Sequence, residues 1–195
     1  MPFVLTVDQR GSRRSSDRVA DALRHLEGSV PAVLAFERTA GDEFQGVLDD
    51  PAVVVDVVLH LLREGTWSVG VGAGPVQTPL PASTRAAAGP AFLSARRAVD
   101  AAKQRPGHVA VRGTEAAEAE DAQAVLSALA VVVERRSPQA WEAIGLVEDG
   151  RTQAEAAASL SISRQAVGQR LAAGLWELER ELRPTAARLL ARAAG

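Results

Sequence analysis

Two short apolar runs, residues 33–38 and 43–48, are separated only by a tight polar bend containing Gly41. A bend this short joins neighbouring strands that run antiparallel, because parallel neighbours need a crossover of about a dozen residues or more. The hairpin therefore argues against an all-parallel, doubly wound sheet, and the rest of the first half has to be fitted around it. Residues 3–7 read as a strand that stops at Asp8 and enters the polar stretch RGSRRSSDR. A helix follows in which Val19, Ala22, Leu23 and Leu26 recur at helical spacing. After the hairpin, Asp49 and Asp50 precede Pro51, a cap and first-turn combination, and Val54, Val55, Val58, Leu61 and Leu62 fall on one helical face. Residues 67–73 alternate apolar side chains with glycine and serine, which suits a strand approached closely by another backbone. A helical pattern over 91–103 and a short strand over 108–112 complete the series.

This order predicts an α+β fold with a ferredoxin-like first domain, residues 1–113. Residues 115–134 form one helical pattern with Leu126, Leu129 and Val133 as its apolar face, read as a connector over 114–136. Beyond Ser137 and Pro138 the composition is helical throughout, predicting an all-α second domain, residues 137–195. The chain has no cysteine, which excludes disulfides and thiolate metal sites, and no apolar run approaches the roughly 20 residues that span a bilayer. The expectation is a cytoplasmic protein without a membrane partner. A formal net charge of −2 provides no global positive field, so any nucleic-acid binding has to come from a local surface.

Such a surface is legible near the end of the chain. Trp141, Ile144, Leu146 and Val147 mark a helix that stops at Asp149 and Gly150. Thr152, with Glu155 three residues on, has the capping-box pattern that starts the next helix. Ser161, Ile162 and Ser163 make a tight connector; Ile162 plugs the angle between two helices and Ser163 caps the third, which begins at Arg164. Val167 and Leu171 face inward on that helix, and Arg164, Gln165, Gly168, Gln169 and Arg170 lie towards the other side. Arginine grips a guanine edge and glutamine an adenine edge, each pairing contributing about 1 to 3 kcal/mol of discrimination. The stretch GRTQAEAAASLSISRQAVGQRL resembles the helix-turn-helix of bacterial sigma-factor region 4. The resemblance implies that the helix from Arg164 is the recognition helix and that Thr152 and Gln153 sit against the phosphate backbone. From Ser137 onward arginines and acidic residues are equal in number, so a homodimer on double-stranded DNA is expected. Leu171, Leu175, Leu178 and Leu182 form a seam readable as internal core or as a dimer contact. Pro184 is expected to break the helix, leaving a short helical tail.

In the first domain, Asp8 ends the first strand and Asp42 and Glu43 flank the hairpin bend. In a ferredoxin-like sheet these carboxylates fall near one edge, where oxygen ligands suit Mg²⁺ bridging to phosphates, and Arg10, Arg13 and Arg14 stand ready to hold a polyphosphate. The plainer reading is that strand-end carboxylates cap a loop or pair with a nearby arginine. GDEFQG, the Asp8, Ser12, Arg13 pattern, VGVGAG and GPAFLSARRA together resemble the SatD family over residues 3–113, and more distantly the palm fold of GGDEF proteins and class III nucleotidyl cyclases. That resemblance implies metal binding at Asp8 and Asp42, with Glu43 beside them, and nucleotide contacts from the loop that includes Ser12. The pattern departs at two points. Phe92, four residues before Arg96, stands where cyclases carry an asparagine, and Ala40 precedes Gly41 where GGDEF enzymes have a glycine pair. The expected function is a DNA-binding transcriptional regulator whose first domain senses a nucleotide or mediates dimerisation, more a non-enzyme than an enzyme. The alternatives are a Mg²⁺-dependent nucleotide-processing enzyme with a helical accessory and a nucleotide-free dimerisation scaffold. His25, His60 and His108 show no ligand spacing and receive no role.

Overall fold

The computed structural model describes residues 1–12 and 16–195. A five-stranded mixed sheet and eight helices make up the regular structure of these residues. Strands β1 (Phe3–Gln9), β2 (Leu34–Ala40), β3 (Glu43–Leu48), β4 (Trp67–Ala73) and β5 (Val109–Gly113) lie in the order β2-β3-β1-β4-β5. The first four are antiparallel to their neighbours, and β5 joins β4 in parallel. Gly41 turns the β2–β3 hairpin at φ 58°, a left-handed conformation that glycine adopts without Cβ strain.

Helices α1 (Val19–Ser29) and α2 (Pro51–Arg63) contribute to the main core against Phe3, Leu5, Val7, Phe44, Leu48, Trp67, Val69 and Val71. Asp50 caps α2 by accepting a hydrogen bond from Ala52 N at 2.8 Å, with Pro51 in the first turn. Helix α3 (Pro90–Ala102) packs against strands β1, β4 and β5, and Ala91, Phe92 and Ala95 join Val4, Leu34 and Val47 in a second cluster. Because side chains alternate along a strand, the odd-numbered residues from Phe3 to Val7 enter the main core while Val4, and with it Thr6 and Asp8, belongs to the α3 face. The alternation at residues 67–73 now has its cause. A Cβ on Gly70 would lie 2.2 Å from Val99 N, and one on Gly72 would lie 2.1 Å from Ala91 O, so α3 rests directly on the backbone of β4.

The division of the chain differs from the one expected. Helix α4 (Ala116–Glu134) is no free connector: Ala119, Ala122, Leu126, Leu129 and Val133 are buried in the main core. Gln123 Oε1 accepts from Val111 N at 3.3 Å, occupying part of the outer edge of β5. Helices α5 (Pro138–Glu148), α6 (Gln153–Leu160) and α7 (Arg164–Ala173) follow, and α8 (Trp176–Ala193) then returns along α4. The expected break at Pro184 does not occur. Pro184 lies on the exposed side of one continuous helix. Ala186, Leu190, Ala193 and Ala194 complete the main core, and Glu115 N donates to Ala193 O at 3.1 Å, so α4 and α8 run antiparallel. The leucine seam is not one stripe either. Helix α7 ends before Gly174, Leu175 takes φ 52°, Leu171 is buried, and Leu175 and Leu178 are exposed. No helix of the described residues is long and apolar enough to cross a membrane.

The helical unit is joined to the sheet body by buried charge. Arg136, just after α4, forms an ion pair with Glu179 of α8, both side chains being 1% exposed or less. Arg136 Nε donates to Gly174 O at 2.7 Å. Glu179 also accepts from Arg183 Nε at 2.8 Å, and Arg183 reaches Asp56 of α2 at 2.7 Å. Trp141 of α5 stacks against two cations, with the guanidinium of Arg63 at 3.9 Å and that of Arg136 at 4.7 Å from its ring centroid.

Two outcomes follow from this packing. Gly72→Ala places a methyl group inside the van der Waals radius of a backbone oxygen and is expected to destabilise the protein by about 3 kcal/mol, a fall of roughly 10 °C on thermal unfolding. Glu179→Ala leaves Arg136 charged and buried, costing about 3 to 5 kcal/mol, whereas the double change Arg136→Met with Glu179→Leu should recover most of the loss in denaturant titration.

Candidate nucleic-acid interface and the cleft at the end of strand β1

Helices α5, α6 and α7 enclose their own small core of Ala143, Ile144, Ala156, Ala157, Val167, Leu171 and Trp176. The alanines of α6 let its neighbours approach closely. Its N-terminus carries the full capping box: Thr152 Oγ1 accepts from Glu155 N at 3.3 Å and Glu155 Oε2 accepts from Thr152 N at 2.8 Å. The Thr152 backbone bond, then its hydroxyl, hold the Glu155 carboxyl below the usual carboxylate range. At the other end Ser161 takes the left-handed conformation, φ 54°, and Ile162 N donates to Ala157 O at 3.1 Å, folding the chain sharply back. Ile162 packs on the small core and Ser163 Oγ accepts from Ala166 N at 3.1 Å, so each connector residue has the role its chemistry suggested.

Arg164, Gln165 and Gln169 are exposed on α7, and Thr152, Gln153 and Ser163 are exposed beside it. Gln153 Oε1 lies 3.7 Å from where a Gly168 Cβ would stand, so the start of α6 abuts the middle of α7. Arg170 differs from its neighbours: it pairs with Glu142 of α5 at 3.1 Å and is only 26% exposed. Between Arg151 and Ala173 the chain has three arginines and one acidic residue, Glu155, so this stretch is locally positive in a chain that is balanced overall.

The second grouping lies where β1 ends. Asp8, Gln9, Arg10, Gly11, Ser12, Asp42, Ser68, Lys103 and His108 line an open cleft of about 670 Å³. Of the predicted residues, Asp8, Asp42, Arg10 and Ser12 meet there; Arg13 and Arg14 lie outside the described residues. Glu43 does not join them. It sits opposite Asp8 in the β1–β3 register, but its side chain is buried, accepts from Thr39 Oγ1 at 2.6 Å and is ion-paired with Arg96 of α3. Asp8, 18% exposed, is paired with Lys103 Nζ at 3.0 Å, and the same ammonium lies 3.4 Å from Asp100. Burial by itself pushes the Lys103 ammonium down, but the hydrogen bond and charge of Asp8, helped by Asp100, outweigh it and leave its pKa above the ordinary value.

Of the three carboxylates expected to hold magnesium, Asp8 is paired with a lysine and Glu43 with an arginine. Among the described residues no group of three or more His, Asp or Glu side chains is arranged to hold a metal. A divalent ion set about 4 Å from the Lys103 ammonium would meet a repulsion of about 8 kcal/mol at a surface-like effective dielectric. The convergence of three carboxylates is thus corrected to two at the cleft, one already neutralised by a lysine, and a third turned away to an arginine.

Sequence reasoning gave Lys103, Ser68 and His108 no role and met Arg96 only as part of the cyclase-like pattern. Arg96 and Lys103 are seven residues apart, two turns along α3, and that spacing on a helix crossing the sheet was the available signal. Ser68 is the register partner of Asp8 on β4; it is 1% exposed, and its Oγ has no hydrogen-bond partner among the described residues. His108 takes φ 49° at the cleft wall. Burial, then the nearby Arg10 charge, hold its imidazole pKa below the ordinary value despite Glu134. No family model, curated protein or solved structure matches the chain.

The α7 cap can be tested alone. Ser163→Ala should lower stability by about 1 kcal/mol, whereas Ser163→Gly should cost only a few tenths, a difference that chemical denaturation resolves.

Proposed function

We propose that this protein is a DNA-binding transcriptional regulator of the cytoplasm, in which α6 and α7 form a helix-turn-helix and α7 is the recognition helix. The observation that carries this reading is the exposed row Arg164, Gln165 and Gln169 on a helix whose start is fixed by Ser163 and whose inner face is locked by Val167 and Leu171. These side chains have the donors and acceptors that read guanine and adenine edges in a major groove. Thr152 and Gln153, exposed at the capped start of α6, and Ser163, exposed at the start of α7, are in this reading the contacts to the phosphate backbone. In this reading Arg170 serves the phosphate backbone only by exchanging its Glu142 partner, a weaker contribution than that of Arg164.

The α+β body then acts as sensor or dimerisation module. Its βαββαβ order with strands β2-β3-β1-β4 supports a ferredoxin-like, palm-type assignment, extended by the parallel strand β5. Homodimerisation supplies the second recognition helix that a single, nearly neutral copy needs for tight binding. Exposed Leu175 and Leu178, next to the end of α7, are the apolar surface this reading gives to the second copy.

Fluorescence anisotropy with duplex DNA from upstream of the protein's own gene, against an unrelated duplex at physiological salt, provides the test. Specific binding should exceed the unrelated duplex by about a thousand-fold or more. Arg164→Ala and Gln165→Ala should each lower specific affinity about tenfold while leaving unrelated DNA less affected. Unchanged specific binding in both variants, with unaltered circular dichroism, removes α7 from the role of recognition helix.

A further inference from the structure

We propose that the cleft at the end of β1 binds a phosphate ester of a polyhydroxylated small molecule without a divalent cation, with Lys103 and Arg10 supplying the positive charge.

The donors are built into the wall. A lysine ammonium has three N–H groups; two are directed at Asp8 and Asp100, which leaves a third for a ligand. Arg10 is 35% exposed; its Nη1 donates to Gly65 O at 3.2 Å and lies 3.9 Å from Glu134 Oε1, which leaves the Nη2 side of its fork to meet phosphate oxygens. Ser68 is the most telling. A hydroxyl buried without a partner carries a desolvation cost that alanine at the same place would avoid, and this one lines the cleft beside Asp8. A ligand oxygen that accepts from Ser68 Oγ removes that cost.

The acceptors decide the rest of the ligand. Asp8 and Asp42 face the same space, so a bare anion would meet two carboxylates, whereas a sugar lacking phosphate would leave Arg10 and Lys103 unused. A phosphate ester that also carries hydroxyl groups satisfies both sets. A volume of about 670 Å³ is of the size that holds such a molecule. The Lys103 ammonium already pairs with Asp8, so the proposed site needs no divalent cation to neutralise that carboxylate.

This inference rests on the sensor half of the reading above and is independent of the DNA half. The test is isothermal titration of the full chain, without DNA and in EDTA, with ribose 5-phosphate, a set of nucleoside monophosphates, inorganic phosphate and ribose. At least one ester should bind saturably in EDTA, with affinity unchanged within about twofold on adding excess Mg²⁺, and at least tenfold more tightly than inorganic phosphate or ribose; the better of the two ester types identifies the source. Ser68→Ala and Lys103→Met should each weaken that binding about tenfold, in proteins whose thermal unfolding shows they are folded. Binding that appears only with Mg²⁺, or that Ser68→Ala leaves unaltered, overturns the inference while the sensor reading stands. No binding of any ester with or without Mg²⁺ overturns both.

Discussion

Glu179 has its charge where no water reaches it, and the attachment of the helical unit depends on how that charge is answered. Arg136 and Arg183 both address it, and through Arg183 and Asp56 the network reaches α2 beneath the sheet. An isolated ionised carboxylate in such a place would cost several kcal/mol, so Glu179 depends on cations supplied from the end of α4 and from α8 itself. Beside this network Trp141 is held between Arg63 and Arg136.

A comparable constraint shapes the opposite face of the sheet. Because β4 presents bare backbone at Gly70 and Gly72, α3 settles close enough for Arg96 and Lys103 to reach Glu43 and Asp8. Two carboxylates at strand ends thereby become ion pairs, and the electrostatics of the cleft follow from the absence of two Cβ atoms on a neighbouring strand.

Much of the fold was legible because its signals are local. The hairpin around Gly41, the Asp50–Pro51 start of α2, the Thr152–Glu155 capping box and the Ser163 cap each reside within a few residues, and each element begins or turns where its chemistry indicated. What escaped was non-local. The burial of α4 depends on α8, about 60 residues later, returning to cover it. The survival of α8 through Pro184 depends on which side of the helix meets solvent. The fate of Asp8 and Glu43 depended on a helix whose distance from the sheet no periodicity reports. The exposed residues of α7 were readable from their period, whereas Arg170 was captured by Glu142 from another helix.

The placement of the helical unit has a mechanical consequence. It enters from the end of α4 and leaves into the start of α8, and these two helices are antiparallel neighbours. The unit is therefore mounted on twin stalks at one end of a two-helix stem. A body on one flexible tether can turn about any axis and explore a sphere, whereas twin stalks retain chiefly the hinge about the line that joins them. Displacements arising in the stem would thus reach α7 as a change in tilt, with its distance from the sheet nearly conserved.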